Sequence, residues 1–235
     1  MTTADAVRGR LRPGRVLALG AAGDGAWLTE EAARPVLLRA AAGVPGIRLE
    51  RVRLGLADPE GAAPFVVPPP PSALPPGPLR ISGECTVGAG VVRPLPALAS
   101  ALREALFTAA GALDLVVDAV DLHVAGVHED EAGAPRSDRG RGAAPVEGTA
   151  AVEGPVGRAA AAVPGVSRLT AALGAPVHLA SDHVRVEVAV ARGHRPLDVV
   201  RAVRTAVAGS LDDDRPVTVL VTAVDEEVDE EEEAS

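Results

Sequence analysis

Few residues in this chain have both the type and the spacing for chemistry. Ser181, Asp182 and His183 supply the three groups of a nucleophilic relay, but they are consecutive, and a relay needs side chains that converge in a fixed order. They read instead as a polar hairpin turn. His178 and His183 flank that turn as candidate metal ligands, yet no cysteine or close carboxylate pattern completes a zinc set. Asp212, Asp213 and Asp214 follow a helix C-terminus, where negative charge opposes the dipole. Without the spacing and glycine of a calcium loop they read as a solvated turn. Gly154-Pro155-Val156-Gly157 has the GxxG form of some RNA-gripping loops, but no equivalent in the first half of the chain. The run from Gly20 to Gly25 has glycines but no P-loop lysine. His123 falls on the polar side of a strand, and Cys85 on an apolar strand position, where it reads as a small buried hydrophobe. No catalytic, cofactor-binding or metal-binding residue is therefore assigned, and the expectation is a protein that is not an enzyme, with no cofactor.

The elements that carry these residues are built from a narrow alphabet. The chain of 235 residues is 47% hydrophobic but has one Trp, two Phe and no Tyr, so its core must come from Val, Leu and Ala. The net charge of −9 is concentrated in residues 225–235, an acidic tail that should stay solvated. Residues 1–15 form a basic arm with Arg8, Arg10, Arg12 and Arg15. The body between is close to neutral, which disfavours a nucleic-acid surface. The longest charge-free stretch, residues 61–79, contains eight prolines and cannot be a membrane-spanning helix. The apolar run after the arm is too short for a secretory signal. A single cysteine excludes an internal disulfide and fits a reducing compartment.

Self-similarity organises the rest. Residues 39–49, RAAAGVPGIRL, return at 159–169 as AAAAVPGVSRL. Arg93-Pro94-Leu95 returns as Arg195-Pro196-Leu197, and each triplet opens an amphipathic helix. Leu95, Leu98, Leu102, Ala105, Leu106 and Ala109 form one apolar face; Leu197, Val200, Val203, Val207 and Leu211 form the other. Alternating strands precede the helices, around Ile81 to Val87 and Val184 to Val190, with Cys85 matching Val188. A closing strand follows each, where Val120, Leu122 and Val124 match Val217, Val219 and Val221. The first helix of each copy stops at Val-Pro-Gly, and a further strand comes next, around Val52, Leu54 and Leu56 in copy one and more weakly at 171–179. Thr29 is the expected N-cap of copy one, with Pro35 causing a kink or a later start.

The expected fold class is α+β: two tandem two-layer units, each helix-strand-strand-helix-strand, with a three-stranded sheet covered by two helices. The first unit spans 16–127 and carries a Pro-rich insert, 58–78, expected to project as extended polyproline II; residues 128–143 form a linker; the second unit spans 144–224.

The helix-stop phrases AAAGVPGI and AAAAVPGV, the phrase RPLDVVRAVRTAV and the closing strand VDAVDLHVAGV together resemble the alkaline-shock, or Gls-type general stress, family of bacterial envelope stress proteins. Duplication departs from the usual single unit. The resemblance implies a cytoplasmic, non-catalytic interaction or scaffold protein, held at the inner face of the membrane by a protein partner, a membrane protein among the candidates. Nucleic-acid binding and direct membrane insertion are not expected, and homo-oligomerisation is an open option. The alternatives are a ligand-sensing regulatory module with a pocket between the copies, or an unrecognised enzyme.

Overall fold

The structure, a computed structural model, describes residues 14–129 and 154–225. Most of the basic arm, the linker beyond residue 129, residues 144–153 and nearly all of the acidic tail lie outside the described residues. The chain is α+β, with a three-stranded and a six-stranded sheet.

In the first unit the elements run α1 (Glu30–Ala42), β3 (Ile47–Leu56), β4 (Leu79–Gly88), α2 (Leu95–Ala112) and β5 (Val117–His128), after a hairpin of β1 (Val16–Leu19) and β2 (Ala26–Thr29). In the second they run α3 (Gly154–Ala161), β6 (Val166–Leu169), β7 (Val177–Leu179), β8 (Val184–Val190), α4 (Pro196–Ala208) and β9 (Val217–Val224). The repeat is real at the level of register. β3 and β4 are antiparallel and β4 and β5 parallel, with Ile81 opposite Val120 and Cys85 opposite Val124. β6 and β8 are antiparallel and β8 and β9 parallel, with Val184 opposite Val217 and Val188 opposite Val221. Both helix stops use a glycine in the left-handed region, Gly46 at φ +87° and Gly165 at φ +91°, where an added Cβ would lie 2.8 Å from Val91 and 2.6 Å from Val199.

The second helices correspond one residue away from the match suggested by the Arg-Pro-Leu triplets. α2 begins at Leu95, after the proline, whereas α4 begins at Pro196, so that Leu98, Leu102 and Leu106 take the buried places of Val199, Val203 and Val207. The arginine that follows the second of these does the same work in both. Arg103 Nε donates to Val120 O at 3.2 Å, and Arg204 Nε to Val217 O at 3.0 Å. Helix α1 is continuous from Glu30 across Pro35, rather than starting near it. Thr29 Oγ1 accepts from Ala32 N at 3.2 Å, as an N-cap should.

Three expectations need correction. The second sheet has six strands, not three: its strand order is β1, β2, β9, β8, β6, with β7 also on β8. The added hairpin comes from the first unit's own stretch of sequence, and β2 pairs in parallel with β9, Trp27 opposite Leu220. The physical reason is in its composition, since VLAL and AWLT are apolar on both faces and suit only a strand covered on both sides.

The Pro-rich insert does not project. It folds back over the outer face of that sheet, where Val16, Trp27 and Leu220 are buried away from the helices. Val16 exchanges backbone hydrogen bonds with Ser72 O and Leu74 N, Thr218 Oγ1 donates to Pro68 O at 2.9 Å, and Phe65 stacks at a tilt on Trp27 with ring centroids 5.8 Å apart. Val67 is buried beneath it. An apolar outer face has to be covered, and the insert carries the apolar side chains that do it.

Arg15 is likewise not part of a free arm. Its guanidinium donates to Leu54 O while Glu30 Oε1 accepts from Leu54 N at 3.0 Å, so two side chains plug the edge of β3. On the inner faces one apolar core joins both units, with α1 packed on both β3 and β9.

Candidate interaction surface

The turn residues singled out for chemistry stand where a hairpin puts them. Ala180 N donates to His183 O at 2.9 Å, and His183 Nδ1 lies 2.8 Å from Asp182 Oδ1, whose carboxyl is held below its usual range by that hydrogen bond. The rings of His178 and His183 are 6.0 Å apart between centroids. Arg215 fastens the turn from below, donating to Ala180 O at 2.6 Å, and Asp213 in turn holds Arg215 at 2.9 Å, which lowers the Asp213 carboxyl. Asp213, Arg215 and the turn thus form one structural clamp. Among the described residues no group of three or more His, Cys, Asp or Glu is placed to hold a metal ion.

The glycine motifs serve backbone geometry. Gly154 to Gly157 is the opening of α3, not a loop. Gly20 to Gly25 turns the β1-β2 hairpin, and Asp24 in it accepts two hydrogen bonds from Arg201 of α4, whose guanidinium keeps the carboxyl below the usual aspartate range. Arg204 adds a bond to Gly23 O, so α4 clasps the hairpin that extends its own sheet. Cys85 is fully buried in the core, and burial pushes its thiol up, away from thiolate reactivity.

Two polar groups were not visible as special in the sequence. Asp114 has φ +60° and a nearly buried side chain at the end of the first unit's α2. Its carboxylate reaches the N-terminus of α4, accepting from Leu197 N at 2.9 Å and from Arg195. Glu187 is fully buried on the outer face of the six-stranded sheet, in the same cross-strand row as Leu220 and Trp27. Its Oε2 accepts from Leu173 N at 3.0 Å and its Oε1 faces Arg185 Nε as an ion pair at 3.6 Å, while Trp27 Nε1 has no hydrogen-bond partner. Burial raises the Glu187 carboxyl against the pull of the Leu173 amide and Arg185. The alternation of Arg185 and Glu187 along β8 looks in sequence like a solvent face; the signal against it is Leu220 and Trp27 at the neighbouring outward positions.

Set side by side, the sheets differ most at their surfaces. The second is closed by the insert on its outer face, by Ala73 bridged to Val16 at the β1 edge and by β2 on the side of β9. Among the described residues the first is open on the matching face and edge. Its outer face is a polar lattice: Arg80 pairs with Asp121 at 2.8 Å, Arg51 with Glu84 at 3.5 Å, and Thr86 with Glu50 at 2.8 Å and with His128 at 3.0 Å. His123 stands exposed beside Glu84 in this lattice. Along the outer side of β5 no strand pairs among the described residues, and Val124 and Val127 are exposed there.

A shallow apolar groove also runs between α1 and α2, lined by Ala40, Ala101, Ala105 and Ala109 with Glu104 and Thr108 at its rim. It lies within the first unit, not between the copies. No helix among the described residues is long and apolar enough to cross a membrane. No family model matches the chain, and no curated protein or solved structure is significantly similar to it.

Proposed function

We propose that the chain is a non-catalytic interaction protein whose working surface is the open sheet of its first unit. One observation carries this reading: of two sheets with the same register, one is sealed on its outer face and β9 edge, and the other leaves both exposed. Sealing a sheet takes a hairpin and a 20-residue-scale insert of roughly the kind seen here, because free edges and apolar faces invite association. The unsealed sheet is polar on its face, which keeps it soluble while leaving backbone groups along β5 for a partner. Asp24, Asp114, Asp213 and Cys85 are engaged in clasping, capping, clamping and core packing, and the consecutive Ser181, Asp182 and His183 do not converge as a relay, which favours a scaffold over an enzyme. The groove's place on a single helix pair gives no support to a ligand pocket between the copies. With the envelope-stress resemblance, the reading extends to a cytoplasmic protein held beside the membrane by a protein partner.

The test is site-specific photo-cross-linking in the cells that make the protein, with the reactive residue at Arg53 or Glu84 on the open face, or at Asp212 or Ser181 on the second unit. Adducts should form from the first pair, sediment with membranes, and persist when Ser181, Asp182 and His183 are all replaced by alanine. Equal labelling from both pairs, or none, overturns the assignment of the surface.

A further inference from the structure

We propose that two copies of this chain pair through β5, antiparallel and centred on Leu122, so that their three-stranded sheets join into one of six strands. The inference rests on the reading of the open sheet as the interaction surface and names its occupant. Three observations lead to it.

The first is what the repeat does with the same edge. Val219, which corresponds to Leu122, gives its amide to Gly25 O as β2 runs alongside β9. The edge therefore accepts a strand, even with an arginine at its end, since Arg204 on Val217 O corresponds to Arg103 on Val120 O. The second is direction. Val120 receives Arg103 on its open side, so by the alternation of a strand Leu122 and Val124 also turn their backbone groups outward. The other edge of this sheet, β3, is plugged at Leu54 by Arg15 and Glu30, which leaves β5 as the accessible one.

The third is self-complementarity. Two-fold pairing about Leu122 sets Val120 opposite Val124 of the second copy on the inner face. On the outer face Asp121 falls opposite the second copy's His123, and the symmetry repeats both pairs. No like charges meet. Arg80 already lies on Asp121, and Glu84 sits beside His123, so the Asp121 carboxylate of each copy meets an imidazole and not a second carboxylate. Moving the two-fold by one residue toward the N-terminus would set Asp121 against Asp121, which disfavours that register.

Sedimentation equilibrium of the full chain is the test. The wild type should weigh as twice the 23.7 kDa chain, with the backbone amides of Leu122 and Val124 slowing in hydrogen exchange as concentration rises. His123→Asp sets like charges opposite at both pairs and should weaken the dimer about tenfold. Adding Asp121→Asn to it removes the like-charge pairs while keeping an acceptor for Arg80, and should restore most of the dimer, a rescue that a merely structural effect would not give. A monomer at all concentrations overturns the proposal, including one whose Leu122 and Val124 amides are protected throughout, since that protection would not come from a second copy. A dimer indifferent to His123→Asp overturns it as well. A monomer that still gives cross-links from the open face in cells would end self-pairing while leaving the interaction reading intact.

Discussion

Asp114 offers the sharpest check on how the two units are joined. It is a non-glycine residue in the left-handed region, at φ +60°, and its carboxylate caps a helix 83 positions away in sequence. Replacing it by alanine removes the acceptor of Leu197 N, a loss of about 1 kcal/mol for an N-cap with its charge at the dipole's positive end. Arg195 is well exposed, so its ion pair adds little, about 0.5 kcal/mol. Alanine also tolerates the left-handed backbone less well than aspartate, and by about 1 kcal/mol less well than glycine. Asp114→Ala should therefore lower stability by about 2–3 kcal/mol, or lower Tm by roughly 5–10 °C for a chain of this size. Asp114→Gly loses the cap but relieves the backbone and should cost about 1 kcal/mol. Asp114→Asn keeps an acceptor and a residue at ease in this conformation, and should also cost about 1 kcal/mol. Urea unfolding followed by the fluorescence of Trp27, the one tryptophan, and by circular dichroism measures all three. If glycine proves as costly as alanine, the conformational part of the argument fails; if alanine costs nothing, the cap does not join the units.

The insert and the buried carboxylate make further predictions. Val67→Asp puts a charge beneath the Pro-rich cover and should cost about 2 kcal/mol or more, with a red shift of Trp27 emission in the folded state; unchanged emission and stability would mean that the cover does not shield the sheet. Glu187 holds its proton more tightly in the folded chain than in the unfolded one, so its contribution to stability is full below the ordinary glutamate value of 4.5 and is lost as pH rises through the folded value. The stability of Glu187→Gln relative to wild type should accordingly improve from pH 5 to pH 8 in urea titrations. A difference that stays flat over that range would show that Glu187 does not titrate there.

How much of this was legible in the sequence depends on the distance over which each feature is encoded. The repeat, the helix stops and the match of Cys85 to Val188 rest on local periodicity and were readable from it. In sequence the apolar VLAL is weighed only as a secretory signal and AWLT is not read as a strand; the strand that β2 joins lies about 190 residues away, and no local pattern names a parallel neighbour. In the insert the prolines masked Phe65 and Val67, which are the residues that dock. Glu187 was hidden because alternation marks two faces without saying which of them meets water. Of the candidate site, the polar turn at Ser181 to His183 was read as a turn, and His123 as an exposed strand residue. The openness of β5 was not readable, because it consists in what fails to pair with it.

The units are alike in register, so their different surfaces must come from what each receives. The hairpin, the insert and Asp114 all belong to the first unit's stretch of sequence, and all three are spent on the second: the hairpin extends its sheet, the insert covers its outer face, and Asp114 caps its helix. Among the described residues the second unit gives the first no strand and no cover in return. A duplicated fold can lose one of its two association surfaces in this way without losing the other, because an insertion between β3 and β4 and a strand added before α1 leave the core register untouched. The second unit then depends on the first for its closure, while the first keeps the edge that an undivided pair of units would have offered twice. On the proposed reading, binding is confined to one side of the molecule, and a repeat with two equivalent edges becomes a protein with a single direction of assembly.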